Sequence, residues 1–222
     1  ITAIPELLEL LDIQGAVVTL DAMGCQKEIA RKIIASGADY LLQVKANHPS
    51  LHEDLALLFK DGLRDDCQGI AYDFHEQTDS GHGRIETRRL WVTPQIGWFA
   101  EKDQWAELSC FICVEATRRQ ADKTSVERHY YLSSLTGLAA SELMPLVRGH
   151  WSIENKLHWS LDVSFREDAC RIRQGHAAEN YSRLRRLALN LLKKDKTCKL
   201  GLKGKSKVCS WDHDYLLKIL TA

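Results

Sequence analysis

Two stretches of this chain carry residue types whose chemistry belongs together. The first is Asp21, which closes the apolar run Ala16-Val-Val-Thr-Leu20. Such a run is long enough for one buried strand, and an acid at the carboxyl end of a parallel strand stands where ligands gather in open α/β sheets. An isolated aspartate there equally serves as a cap for the following helix, and taken alone that is the simpler reading. The second stretch is Arg148-Gly-His-Trp-Ser-Ile-Glu-Asn-Lys-Leu-His-Trp-Ser-Leu-Asp162. On a helix, Glu154, His158 and Asp162 share one face, Trp151 and Asn155 lie on the adjoining strip, and Ile153, Leu157 and Leu161 form the apolar side. The alternative is a packing helix whose polar residues pair with one another. Acids gathered from distant parts of a chain suit metal-dependent phosphoryl transfer, in which two divalent ions about 3.5–4 Å apart activate a nucleophile and stabilise the leaving oxygen. Carboxylate and phosphate oxygens favour Mg²⁺, or Mn²⁺ in its place. The pattern is not the H-E-x-x-H of a zinc site.

Two basic features stand beside these acids. In Gly81-His-Gly-Arg-Ile-Glu-Thr-Arg-Arg89, a strand projects Arg84, Glu86 and Arg88 to one face, so that Arg84 and Arg88, with His82, could grip phosphates. Glu86 could instead pair with its neighbours on a solvated face. From Arg183 to Lys207 ten Lys and Arg residues accompany a single acid, Asp195. That segment, with Arg183, Arg185 and Arg186 at its head, is either a solvated helix face running into a flexible tail or an electrostatic footprint for nucleic acid. Cys110 and Cys113 form a C-x-x-C within an apolar stretch that reads as a buried strand, with no second ligand pair for zinc.

The elements that must position these residues follow from periodicity. Ile4, Leu7, Leu8 and Leu11 recur at helical spacing, with Pro5 in the first turn. After the Ala16–Leu20 strand, residues 26–36 read as a helix with Ile29, Ile33 and Ile34 inward, stopped by Gly37. Tyr40–Val44 is a second strand, and Ser50-Leu-His-Glu53 is a capping box opening a helix that Gly62 ends. This is the rhythm of a parallel α/β sheet. Then 70–77, 84–93, 110–116 and 126–135 read as consecutive strands with turns such as 78–83 between them, an antiparallel insertion. From Ser141 the pattern is helical through about Val163, and a further helix over 177–194 carries Tyr181, Leu184, Ala188 and Leu191 on one face.

The whole chain has 222 residues, with 30 Lys+Arg against 30 Asp+Glu, 45% hydrophobic and 27% charged residues. That is globular composition, which excludes wholesale disorder. No apolar run approaches the roughly 18 residues of a membrane-spanning helix. Seven cysteines, an odd number, fit a reducing cytoplasm better than a secreted disulfide framework. The chain opens Ile-Thr-Ala without Met or a signal-peptide pattern, and is expected to be intracellular and to lack an N-terminal part.

Four stretches, Val17-Val-Thr-Leu-Asp-Ala-Met-Gly-Cys-Gln26, Gly37-Ala-Asp-Tyr-Leu-Leu42, His82-Gly-Arg-Ile-Glu86 and His150-Trp-Ser-Ile-Glu-Asn155, together with Leu157–Asp168, resemble the H-repeat-associated proteins and related bacterial insertion-sequence transposases of the DDE type. The resemblance spans nearly the whole chain. It implies an α/β, ribonuclease-H-like core, incomplete at the N-terminus and interrupted by a β-rich insertion, with a C-terminal helical segment. The corresponding divisions are 1–66, 67–136, 137–197 and a basic tail over 198–222. It further implies cut-and-join chemistry on double-stranded transposon and target DNA with Mg²⁺ or Mn²⁺, and a homodimer. By position Asp21 is the second metal-binding acid and Glu154 the third, while the first lies upstream of Ile1, so this chain alone is expected to be inactive. The related pattern places Tyr, Arg and Lys around the glutamate, where Val147, His150 and Leu161 stand here. Arg148, His150 and His158 are the residues available to compensate, with Trp151 and Asn155 beside them. The competing reading is a non-catalytic DNA-binding remnant of a mobile element, held to phosphates by the Arg84/Arg88 strand and the 183–207 region.

Overall fold

The computed structural model describes residues 3–64, 70–81, 83–121, 123–153 and 157–221. They form two compact units, Ile1–His150 and Trp151–Ala222. In the first, helix α1 (Ala3–Leu10) leads to strand β1 (Val17–Leu20), helix α2 (Lys27–Ala35), strand β2 (Asp39–Val44) and helix α3 (Pro49–Arg64). Strands β3 (Asp73–Gly81), β4 (Arg84–Thr93), β5 (Cys110–Gln120) and β6 (Lys123–Ser133) follow, and then helix α4 (Ala140–Ile153). The strands form one six-stranded mixed sheet in the order β1-β2-β6-β5-β4-β3, parallel between β1 and β2 and antiparallel elsewhere. The insertion therefore continues the sheet of the first two strands through pairing of β6 with β2, from Leu41 opposite Ser133 to Val44 opposite Tyr130. Among the described residues β1 and β3 are the edge strands.

Alternation of side chains gives the sheet two covered faces. On one, Leu42, Val44, Phe111, Cys113, Tyr130 and Leu132 join a core with Leu8, Ile29, Ile33, Leu55 and Phe59 of α1–α3. On the other, Leu41, Leu90, Val92, Ile112, Val114 and Tyr131 meet Leu143, Met144 and Val147 of α4. The expected stop after α2 is present in full. Gly37 has φ +71°, and the Gly37 and Ala38 N–H groups donate to the carbonyls of Ile34 and Ile33, closing the helix end.

Several boundaries differ from the sequence reading. α3 begins at Pro49, with the His48 carbonyl accepting the first helical bond, because proline at the first helical position forfeits no bond. It runs past Gly62 to Arg64. The expected turn over 78–83 is mostly strand, since Thr78 and Thr87 join hydroxyls across the hairpin at 3.0 Å and Arg88 reaches Asp79. In α1 only Leu8 is buried, and Leu7 and Leu11 are exposed.

The second unit comprises the end of α4, α5 (Trp159–Phe165), α6 (Ala177–Lys194), α7 (Leu202–Trp211) and α8 (His213–Leu220). The helix expected through Val163 is present as α4 to Ile153 and as helical turns from Leu157 into α5, and 154–156 lie outside the described residues. On α6 the buried residues are Leu189 and Leu192, while Tyr181 and Leu184 are exposed, correcting the expected apolar face. The segment read as a basic tail folds as α7 and α8 around a buried ion pair. Lys205 donates to the carbonyls of Leu192 and Asp195 and lies 3.4 Å from the Asp195 carboxylate. That carboxylate also accepts Thr197, the Cys198 N–H and the Tyr215 hydroxyl. The Thr197 hydroxyl and the other donors hold Asp195 well below the usual carboxylate range despite its burial.

Candidate active site

Parallel pairing of β1 with β2 sends the connections after both strands out at the same end of the sheet. Asp21 stands there, exposed, one residue beyond Leu20. Its Oδ1 accepts the Met23 N–H at 3.1 Å and caps a single 3₁₀ turn, Ala22–Gly24. The capping role is therefore real, and it occupies one oxygen of the carboxylate.

α4 is fixed against the sheet at both ends. At its start the Ala140 N–H donates to Asp73 of β3 at 2.7 Å, and the Ala139 N–H to Glu142 at 2.8 Å. Near its end, His150 Nδ1 lies 3.2 Å from the Thr19 hydroxyl on β1, two residues before Asp21. Arg148 lies 3.2 Å from the Asp79 carboxylate of β3, which also binds Arg88 at 2.9 Å. Two residues expected to contact phosphates thus converge on one carboxylate.

The β4 strand does project Arg84, Glu86 and Arg88 together, on the α4 side of the sheet. Glu86 is 5% exposed. Arg88 (2.7 Å), Arg118 (3.0 Å) and Arg84 (3.5 Å) surround it. Burial would raise its carboxyl, but the Arg118 hydrogen bond and the charges of Arg88, Arg118 and Arg84 prevail and hold it below the usual range. Glu86 thus pairs with its neighbours, though buried and not on a solvated face, and Arg84 is the most exposed of the three cations. On the opposite face Glu115 pairs with Arg89 (3.2 Å) and Arg128 (2.8 Å).

Glu154 and Asn155, together with His82, lie outside the described residues. Val147 and Leu161 are buried, so neither reaches a surface where a nucleic acid would lie. In the second unit Trp151 is half-buried and His158 is exposed at the start of α5. Asp162 accepts the Asp168 N–H at 3.3 Å, bracing the chain after α5. On α6, Arg183 pairs with Glu179, and Arg185 stacks on Tyr181 at 4.4 Å. Arg185 also hydrogen-bonds the Cys170 thiol, and that bond draws the thiol pKa below its ordinary value. Arg186 is exposed, without an ion-pair partner among the described residues.

Sequence reasoning passed over Gln43. It is fully buried on the α4 side of β2, its Nε2 3.1 Å from His129 Nδ1 and its Oε1 without a hydrogen-bond partner. The signal was a lone amide within the apolar strand Tyr40-Leu-Leu-Gln-Val44. Burial, followed by the charges of Lys45 and Arg118, keeps His129 below its ordinary pKa against the pull of Glu127. Asn47 and His48, which hold the Asp21 turn, were also missed.

Among the described residues no three His, Cys, Asp or Glu side chains group as a metal site. Asp21 by itself offers a hard, solvent-facing carboxylate oxygen of the type a Mg²⁺ or Mn²⁺ ion prefers.

The fold and site define an α/β protein with an acid at the carboxyl end of a parallel strand and a helix held against that strand. The chain belongs to the transposase DDE domain family, whose model matches residues 1–191. It is 39% identical to the H repeat-associated putative transposase YhhI of Escherichia coli K12, over 99% of this chain and 58% of the relative. It is 41% identical to the putative transposase YncI of E. coli O157:H7, over 100% of this chain and 57% of the relative. The putative protein YbfL of E. coli K12 is 39% identical over 99% of this chain and 58% of its own length. The chain thus spans a little over half the length of these relatives. No solved structure matches it.

Proposed function

We propose that this chain forms part of a DDE transposase that cleaves and joins DNA strands at insertion-sequence ends, with Asp21 and Glu154 as two of its three metal-binding acids. The observation that carries this reading is the contact of His150 with Thr19. His150 stands four residues ahead of Glu154 in sequence, and Thr19 two residues ahead of Asp21. That contact supports the reading because it brings the segment that leads to Glu154 in sequence to the strand that leads to Asp21. The mixed α/β sheet is compatible with a ribonuclease-H-like core into which β3–β6 are inserted.

A divalent cation, Mg²⁺ or Mn²⁺, bound by Asp21 and Glu154 would supply Lewis-acid stabilisation of the charge on the transferring phosphoryl group. The chain's own residues fix the rest. The Met23 N–H orients Asp21, Thr19 orients His150, and Asp79 holds Arg88 and Arg148 side by side. The exposed cations Arg84, Arg183 and Arg186 contact the phosphates of double-stranded DNA, with His82, Trp151, Asn155, His158 and Arg185 completing the contact set. The whole protein acts in the cytoplasm as a homodimer.

The test is Mg²⁺-dependent strand transfer by a protein that joins this chain to the remaining length its relatives possess. Asp21→Asn and Glu154→Gln are each expected to abolish transfer while leaving DNA binding intact. Transfer at the parent rate in either variant would refute the assignment of that acid. DNA binding without Mg²⁺ and without cleavage by the parent itself would establish the DNA-binding remnant instead.

A further inference from the structure

The turn that carries Asp21 is braced from the neighbouring connection, between β2 and α3. Asn47 Nδ2 donates to the Ala22 carbonyl at 2.6 Å and lies 3.4 Å from that of Cys25. The Asn47 amide is itself oriented, because its Oδ1 accepts the Lys45 N–H at 3.2 Å. His48 Nε2 donates to the Cys25 carbonyl at 2.7 Å, and its ring stands edge-on to Trp105 with centroids 5.5 Å apart. Within the turn, the Cys25 N–H donates to the Ala22 carbonyl at 3.2 Å and the Gly24 N–H to that of Asp21 at 3.0 Å. The Met23 N–H that fixes Asp21 Oδ1 thus belongs to a turn whose Ala22 and Cys25 carbonyls are both held by side chains of the other loop.

We propose that Asn47, assisted by His48, is a positioning residue for Asp21: by clamping the Ala22–Cys25 turn it fixes the carboxylate in the orientation in which it binds a divalent cation. The inference rests on the reading of Asp21 as a metal-binding acid. Asn47 touches neither metal nor DNA in this role. It acts through the Ala22 carbonyl, the 3₁₀ turn and the Met23 N–H, and supports of this kind commonly matter to metal affinity nearly as much as the ligands do. Asn47 is exposed and lies outside the helices and strands, so its loss leaves both cores intact.

The experiment is a Mn²⁺ titration of this chain by electron paramagnetic resonance, with Asp21→Asn defining the signal that depends on Asp21. It is paired with amide hydrogen exchange at Met23 and Cys25. In Asn47→Ala the Asp21-dependent affinity is expected to fall about tenfold, with the melting temperature within about 3 °C of the parent. Met23 and Cys25 are expected to exchange at least tenfold faster, a local opening of the turn. Asn47→Asp keeps the shape but cannot donate to the carbonyls, and raises exchange at the same two amides. Unchanged exchange in both variants would overturn the clamp whatever the metal does. Faster exchange with unchanged Mn²⁺ affinity would overturn its bearing on Asp21. If the parent and Asp21→Asn bind Mn²⁺ alike, the reading of Asp21 fails and takes the positioning role with it, while exchange still reports whether Asn47 holds the turn.

Discussion

Glu86 is nearly out of reach of solvent and bound by Arg84, Arg88 and Arg118, so one buried negative charge serves three cations. Glu86→Gln removes the carboxylate that Arg84, Arg88 and Arg118 share, leaving Arg88 with Asp79 and Arg118 with Glu127, and is expected to cost about 1–3 kcal/mol, read as a lowered urea midpoint with unchanged slope. Because its pKa is depressed in the folded state, the stabilisation is present above the ordinary glutamate range and is lost as pH falls through it, below about pH 4. The fall in urea midpoint between pH 7 and pH 3 is therefore expected to be smaller in Glu86→Gln than in the parent. The alternation of Arg84, Glu86 and Arg88 was legible in the sequence, since strand period alone puts them on one face. Arg118 and Asp79 were not, because their approach depends on the register of β5 and β3 against β4, which no local pattern encodes. Asp21 was legible for a similar reason, standing directly after a β-branched run.

At the scale of elements, the Asp21 turn packs so closely on β1 that Gly24 has no room for a side chain. A Cβ at that position would lie 2.8 Å from Leu20 Cβ. Gly24→Ala is expected to destabilise the first unit by roughly 1–3 kcal/mol, visible as a lower melting temperature, and to open the turn to amide exchange. In the second unit the Lys205–Asp195 pair joins α6, the following loop and α7, and Tyr215 adds α8. Lys205→Ala removes the donor from two buried carbonyls and is expected to speed proteolytic cleavage between 195 and 201, with no change in the first unit. Cleavage at the parent rate would show that the pair does not tie the helices together. Counting charges made this stretch a tail, because a lysine satisfied by backbone carbonyls looks the same in sequence as one in water. On α6 the spacing was right and the face was wrong. Helical period gives apolar stripes, but partner helices decide which stripe is covered, and here they cover Leu189 and Leu192.

Across the whole molecule, one sheet runs from the parallel pair to the β3–β4 hairpin and leaves β1 at one edge and β3 at the other. An uncovered edge strand is a template for pairing. Concentration-dependent self-association of this chain is therefore expected in sedimentation velocity, and a strictly monomeric profile at high concentration would count against β1 being exposed. The change from helix–strand alternation to consecutive strands was legible, but the continuity of the two sets was not, since β2 and β6 lie far apart in the chain. DNA affinity of the whole protein is expected to fall with salt, and Arg186→Ala to reduce the slope of log K against log[salt] by about 0.9. The described cysteines divide along the same boundary as the two units. Cys25, Cys110 and Cys113 are buried in the first, their thiols raised by burial to about 12, 11 and 12. Cys170, Cys198 and Cys209 are partly open in the second, and Arg185 makes Cys170 the more readily ionised. In a Cys67→Ser background, iodoacetamide would therefore mark the helical unit of the native protein first and Cys170 foremost within it. The sheet unit would take up label only as it unfolds, so that timed alkylation and mass spectrometry become a clock for each unit separately.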